Sequence, residues 1–192
     1  HETLGKPPSI RIALCHLETV LDTDFYRFKD LGVIASFTPA WHGHVADHNT
    51  IAAIGEKALS QMRAQPMIAD NAIITFSSDI TTKQGWLDEQ ANPYHGMQIG
   101  HNRQPIEGNS KARYAPPRSE RIRLDTLVDG YTINGAYQLG RSDELGSIEV
   151  GKMADLIVLN QNLFEVNRYE VHKTRPIAVI MDGELVYGKF DF

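Results

Sequence analysis

The sequence predicts an α/β fold in which a parallel sheet with covered faces gives way to a small β-rich segment. Three observations carry that expectation. Short, largely apolar runs at 10–15, 33–37 and 72–76 alternate with helical patterns. Their apolar residues are successive rather than alternate, the mark of strands buried on both faces. Beyond Gly140, apolar runs at 177–181 and 184–187 flank Asp182-Gly183. That dipeptide signals a hairpin, because a type I′ turn needs positive φ at both central residues.

The elements follow in order. The run 10–15 ends at His16, after which Asp22 or Asp24 is placed to cap a helix carrying Phe25, Phe28 and Leu31, with Gly32 at its C′ position. The run 33–37 stops at Thr38-Pro39. A second helix is expected at about 50–63, with Ile51, Ile54, Ala58, Leu59 and Met62 on one face. The third run ends in Ser77-Ser78-Asp79. Asn92-Pro93 opens a short helix near 94–101, and the Gly/Pro/Ser-rich stretch that follows, at about 103–121, reads as a long loop. A longer helix is expected at 124–139, ended by Gly140, and a strand at 154–159. The division expected is 1–139 and 140–192.

Composition narrows the function. A net charge of −5 speaks against a non-specific nucleic-acid binder. The basic residues Lys111, Arg113, Arg118, Arg121 and Arg123 around Pro116-Pro117 read as a solvated loop in preference to an anion contact. No apolar run reaches the ~20 residues a membrane span needs, and the single cysteine, Cys15, fits a reducing, cytoplasmic compartment. Cys15 is expected to be a small buried hydrophobe rather than a nucleophile. The start, His1-Glu2-Thr3, resembles neither a signal peptide nor a natural initiation, so an upstream segment is expected.

In parallel α/β barrels chemistry sits at the C-terminal strand ends. That rule selects His16 and Asp79, an imidazole and a carboxylate that can share a divalent metal such as zinc. Strand-end residues of these types are also common structural hydrogen-bonders. Trp41 is either a wall of a substrate pocket or a packed loop aromatic. His42, His44 and His48 form an H-x-H-x3-H cluster: a separate metal site is one reading, and a His-rich polar loop the favoured one. His95, His101 and His172 read as surface or packing residues.

The stretches 129–140 and 146–159, the latter reading Gly-Ser-Ile-Glu-Val-Gly-Lys-Met-Ala-Asp-Leu-Ile-Val-Leu, resemble the C-terminal signature of the metal-dependent amidohydrolase superfamily. They are most similar to the branch of the N-substituted formamide deformylases. Residues 11–18, 31–39 and 76–79 resemble the sixth, seventh and eighth strand segments of that family. The resemblance implies the C-terminal part of a (β/α)8 TIM-type barrel followed by a β-sandwich (composite) segment. It also implies a zinc-type metal held by His16 and Asp79, with Asp79 as general base and Trp41 lining the pocket for a small amide-type substrate. The implied reaction is hydrolysis of a non-peptide carbon–nitrogen bond. The family's first-strand His-x-His pair and fifth-strand His have no counterpart here, and His42-Gly43-His44 does not replace them. The expectation is therefore a partial site, inactive in isolation, that requires a complementing N-terminal half or a second copy. A non-catalytic module that packs through exposed strand edges is the alternative.

Overall fold

The computed structural model describes residues 10–46, 48–79 and 91–189. Two three-stranded sheets organise them. The first is parallel: β1 (Ile12–Cys15), β2 (Val33–Phe37) and β3 (Ile74–Phe76) lie in that order. Ile12 pairs with Val33, and Ala35 with Ile74. Parallel neighbours need a crossover between them. The first crossover contains α1 (Arg27–Leu31), and the second contains α2 (His48–Ile54) and α3 (Gln65–Ala69).

Helix α1 is shorter than expected. Asp24 does not cap it but accepts from the Arg27 guanidinium at 2.8 Å, while turns occupy the preceding residues. Its end is as expected, since Gly32 at φ 64° returns its N–H to the Lys29 carbonyl. The single helix expected over 50–63 is interrupted. Gly55, at φ 66°, ends α2, and a 3-10 stretch follows over 55–60. Ile51, Ile54 and Leu59 are consequently exposed, and only Ala58 and Met62 of that face are buried.

The core lies under β2, the central strand. Phe37, Ala35, Ile74 and Phe76 pack with Phe25, Phe28, Met67, Met97 and Leu127. Burial of each of the larger side chains is worth about 1.5–3 kcal/mol. Strand β1 departs from the expectation of a strand covered on both faces. Ile12 and Leu14 are exposed, and so is Cys15, which was expected to be buried. The reason is cover rather than edge position: β3 is also an edge among the described residues, but helices pack on β2 and β3 and not on β1.

Helix α4 (Pro93–Asn102) starts as expected, with the Asn92 side chain accepting from the Tyr94 N–H at 3.0 Å. The stretch after it has little regular structure yet is not simply solvated. Gln104, Ala115, Glu120 and Ile122 are buried, and Gln104 Nε2 donates to the carbonyls of Asn109 and Ala112. The basic residues do stay near solvent. Arg118 and Arg121 lie over the Tyr114 ring, and Arg123 pairs with Asp125.

The helix expected over 124–139 is two helices, α5 (Leu124–Tyr131) and α6 (Ile133–Gln138), separated at Thr132 (φ −119°, ψ −95°). Close approach requires a glycine on α5: a Cβ on Gly130 would sit 2.3 Å from the Phe76 ring. The break turns α6 so that Asn134 donates to the Ile74 carbonyl at 2.9 Å and Thr75 donates to Gln138 at 2.6 Å. Gly140 ends α6 at φ 76°.

The second sheet is antiparallel, in the order β4 (Leu156–Leu159), β5 (Pro176–Met181), β6 (Glu184–Gly188). The hairpin is where the sequence put it, with Asp182 at φ 50° and Gly183 at φ 81°. The segment connecting β4 to β5 docks on α4. Asn102 exchanges bonds with Arg168, and Gln98 Oε1 accepts from the His172 N–H at 3.1 Å. No helix among the described residues is long and apolar enough to cross a membrane.

Candidate metal and hydrolytic site

The C-terminal ends of β1, β2 and β3 form one edge, and the polar residues predicted from sequence stand along it. His16 follows β1 and Asp79 lies three residues beyond β3. With β2 between them, the two strand ends are roughly 10 Å apart by the usual inter-strand spacing. Backbone geometry at both is unusual. His16 (φ 69°), Leu17 (φ 57°) and Asp79 (φ 48°) are non-glycine residues in the left-handed region. Such conformations cost on the order of 1–3 kcal/mol each and cluster where function holds them. A tight turn from the Leu17 N–H to the Cys15 carbonyl, 2.9 Å, makes the bend that lifts His16 off the strand.

The imidazole of His16 is fixed on two sides. Its ring stacks on Trp41, with centroids 4.9 Å apart and an 8° interplanar angle. Nδ1 lies 3.4 Å from the Thr38 hydroxyl, which in turn is 3.5 Å from the Ser77 hydroxyl. Ser77 Oγ faces the Phe37 carbonyl at 3.5 Å. Ser77 donates to the Phe37 carbonyl, whereas the Thr38–Ser77 contact admits either hydroxyl as donor and the direction of the His16–Thr38 contact follows the imidazole tautomer. All three contacts are long, hence weak.

Trp41 sits on the 3-10 turn Pro39–Trp41 after β2, so the Thr38-Pro39 strand stop is what delivers it to His16. Thr38 and Ser77 were not singled out from sequence. The available signal was their position, since both follow apolar runs at the level of the predicted ligands.

The donor chemistry of His16 and Asp79 suits a borderline-to-hard divalent cation. Two protein ligands are fewer than the three usual in catalytic zinc sites. Among the described residues, no group of three or more His, Cys, Asp or Glu side chains is gathered for a metal ion. Of the two readings of His42, His44 and His48, the separate metal site finds no gathered group of three among the described residues. His42 points into the interior and is fully buried, whereas His44 and His48 are exposed. His101 and His172 have packing roles, bonded to the Ile122 carbonyl (2.9 Å) and to Gln98 (2.7 Å).

His42 packs edge-on against Phe37, and among the described residues neither ring nitrogen has a hydrogen-bond partner. Burial, with the Arg103 charge adding to it, lowers its pKa from 6.5 to about 3. The native value is depressed, so as pH falls the unfolded chain takes up this proton first. The associated stability is complete above pH 6.5 and is lost progressively towards about pH 3. The slope reaches up to about 1.4 kcal/mol per pH unit. Urea denaturation across that window is expected to show this slope, and His42→Phe to remove it. Parallel pH profiles for the two proteins would contradict a neutral buried ring.

The profile of the amidohydrolase family matches residues 5–187. The chain is similar to an imidazolonepropionase of Parabacteroides distasonis, 47% identical over 61 residues, 32% of this chain and 15% of that protein. It is also 37% identical over 70 residues to the N-substituted formamide deformylase of Arthrobacter pascens, covering 36% of this chain and 13% of that one. In fold it is similar to an uncharacterised metal-dependent hydrolase from Pyrococcus horikoshii, with a TM-score of 0.66 and 24% identity. That superposition covers 87% of this chain and 31% of the other. The chain thus spans less than half the length of these relatives.

Proposed function

The chain belongs to the amidohydrolase family, and on that premise we propose that the protein containing it hydrolyses a non-peptide carbon–nitrogen bond with metal-activated water. The observation that carries the reading is His16, stacked on Trp41 and with Nδ1 3.4 Å from the Thr38 hydroxyl, on the same strand-end edge as Asp79. In this reading β1, β2 and β3 are the sixth to eighth strands of a (β/α)8 barrel. Residues 1–139 belong to that barrel and residues 140–192 to a β-sandwich.

His16 and Asp79 would hold a divalent cation, zinc by their ligand chemistry, together with residues from the rest of the protein. A cation held there would supply the acidity that activates a water molecule and the charge that polarises the scissile carbonyl. Asp79 would help to hold it and, as general base, would take a proton from the attacking water and pass it to the leaving nitrogen. In this reading Nδ1 of His16 would donate to Thr38, and Nε2 would carry the lone pair that serves as ligand. Trp41 orients the imidazole on one face and shapes the substrate pocket on the other. The substrate class is a small amide, of the formamide, cyclic amide or acylated amine type.

The test is metal content and an amide-substrate screen on the full-length protein, beside its His16→Ala variant. Bound metal near stoichiometry, with both metal and turnover lost in the variant, is the expected result. Full metal loading and undiminished turnover in His16→Ala would remove this residue from the centre. In the isolated chain of 192 residues, weak zinc binding and little hydrolysis are expected.

A further inference from the structure

Two arginines after Pro116-Pro117 gather with a third from the segment between β4 and β5. The guanidinium carbons of Arg118 and Arg121 lie 5.1 and 5.4 Å from the centre of the Tyr114 ring, so one aromatic side chain holds both charges close together. Arg121 and Arg168 are tied to Asn102, the last residue of α4. Arg121 Nε donates to Asn102 O at 3.4 Å, and Arg168 Nε to Asn102 Oδ1 at 2.6 Å. Arg168 Nη2 also donates to His101 O at 3.1 Å. These bonds serve carbonyls at the end of α4, whose dipole offsets only about half a charge. Among the described residues no carboxylate forms an ion pair with any of the three. The acids nearest in sequence are engaged elsewhere, Glu120 with Arg63 and the Gln65 N–H, and Asp125 with Arg123. Burial, with Arg168 and Arg118 adding to it, lowers the pKa of Arg121, as expected of like charges held together. Each guanidinium has five N–H donors. Arg118 spends none of them on a hydrogen bond among the described residues, Arg121 one and Arg168 two.

We infer that Arg118, Arg121 and Arg168 form a surface that binds a short polyphosphate, either free or as the tail of a nucleotide. A guanidinium meets a phosphoryl group through parallel N–H···O bonds. Three cations on separate residues suit a ligand whose charge is spread along its length better than a single carboxylate. Arg118 is exposed and Arg121 and Arg168 are half-buried, so the surface is open to such a ligand. A long nucleic acid fits less well, because the net charge of −5 on the whole chain repels an extended polyanion. Tyr114 holds Arg118 and Arg121, and Asn102 holds Arg121 and Arg168, so part of the ordering that binding requires is already in place. The surface uses none of the residues assigned to hydrolysis and does not rest on that reading.

The experiment is calorimetric titration of the full-length protein with sodium tripolyphosphate, at an ionic strength held constant with sodium chloride. The wild-type protein is expected to bind it. Affinity is expected to fall about threefold or more in Arg118→Gln and about tenfold or more in Arg118→Gln/Arg121→Gln, the scale of one and two solvent-screened charge contacts. Arg123→Gln, which removes a side chain already paired with Asp125, is expected to bind as the wild type does. Arg118 is exposed and makes no hydrogen bond among the described residues, so its variant is expected to fold, and a wild-type circular dichroism spectrum checks this. Adenosine triphosphate binding more tightly than tripolyphosphate would make a nucleotide the source of the phosphate chain, and equal affinity would assign recognition to the phosphates alone. No binding beyond the chloride control, an affinity unchanged in both arginine variants, or an equal loss in Arg123→Gln would each overturn the site. So would tighter binding of a short oligodeoxythymidylate than of tripolyphosphate.

Discussion

Asp79→Asn in the full-length protein is expected to lower kcat by about 10²–10⁴-fold, the range a positioned acid–base group contributes. Asparagine keeps the size of the side chain and, like aspartate, tolerates the left-handed backbone seen at φ 48°. It removes the charge and the proton-accepting oxygen together. Because the proposal gives Asp79 both ligand and base roles, turnover is to be measured alongside metal content on the same preparation. A variant reconstituted to full metal content yet still depressed 10²-fold or more isolates the proton-transfer role. Turnover within tenfold of wild type would assign the general base to another group.

The second large effect is on stability. Arg103→Met is expected to destabilise the fold by several kcal/mol, because each buried carbonyl left without its donor costs about 1–3 kcal/mol. The guanidinium bonds the carbonyls of Gln61, Met62, Ala115 and Pro116, fastening two irregular segments to the end of α4. Burial lowers its pKa only to about 10, so it remains charged at neutral pH. Glu120, 3% exposed, would keep the Gln65 N–H at 2.8 Å and Arg63 at 3.5 Å, so the loss falls on the four carbonyls. Thermal unfolding is the measure, at roughly 2–4 °C per kcal/mol for a domain of this size. A loss below 1 kcal/mol would show that water replaces the guanidinium at those carbonyls without difficulty.

How much of this was legible in the chain differs by element. Strand β2 matched its apolar run because four of its five side chains are buried, so nearly every position had to be apolar or small. Gly32, Gly140 and Asp182-Gly183 marked their turns because positive φ is a local requirement. The breaks at Gly55 and Thr132 were missed. At Gly55 the sequence permitted a helix that the crossover geometry did not. At Thr132 the helix yields so that Asn134 and Gln138 can reach β3, and such long-range bonds leave no periodic trace. Cys15 and Leu14 were misjudged for a related reason, since an apolar run does not say whether helices cover its strand. For the site, His16, Trp41 and Asp79 were visible as strand-end residues, while Thr38 and Ser77 were hidden because hydroxyls are common after strands. Arg103 and the burial of His42 could not be read, because burial of a charge depends on segments far apart in the chain.

The stack of Trp41 on His16 has a thermodynamic consequence. One indole lies against His16 and also lines a cavity of about 320 Å³, so an occupant that tilted it would also tilt the imidazole. By linkage the influence would run equally both ways: whatever factor such an occupant imposed on the affinity of the proposed cation, the cation would impose on the occupant. A single ring would then make the two binding events report on one another.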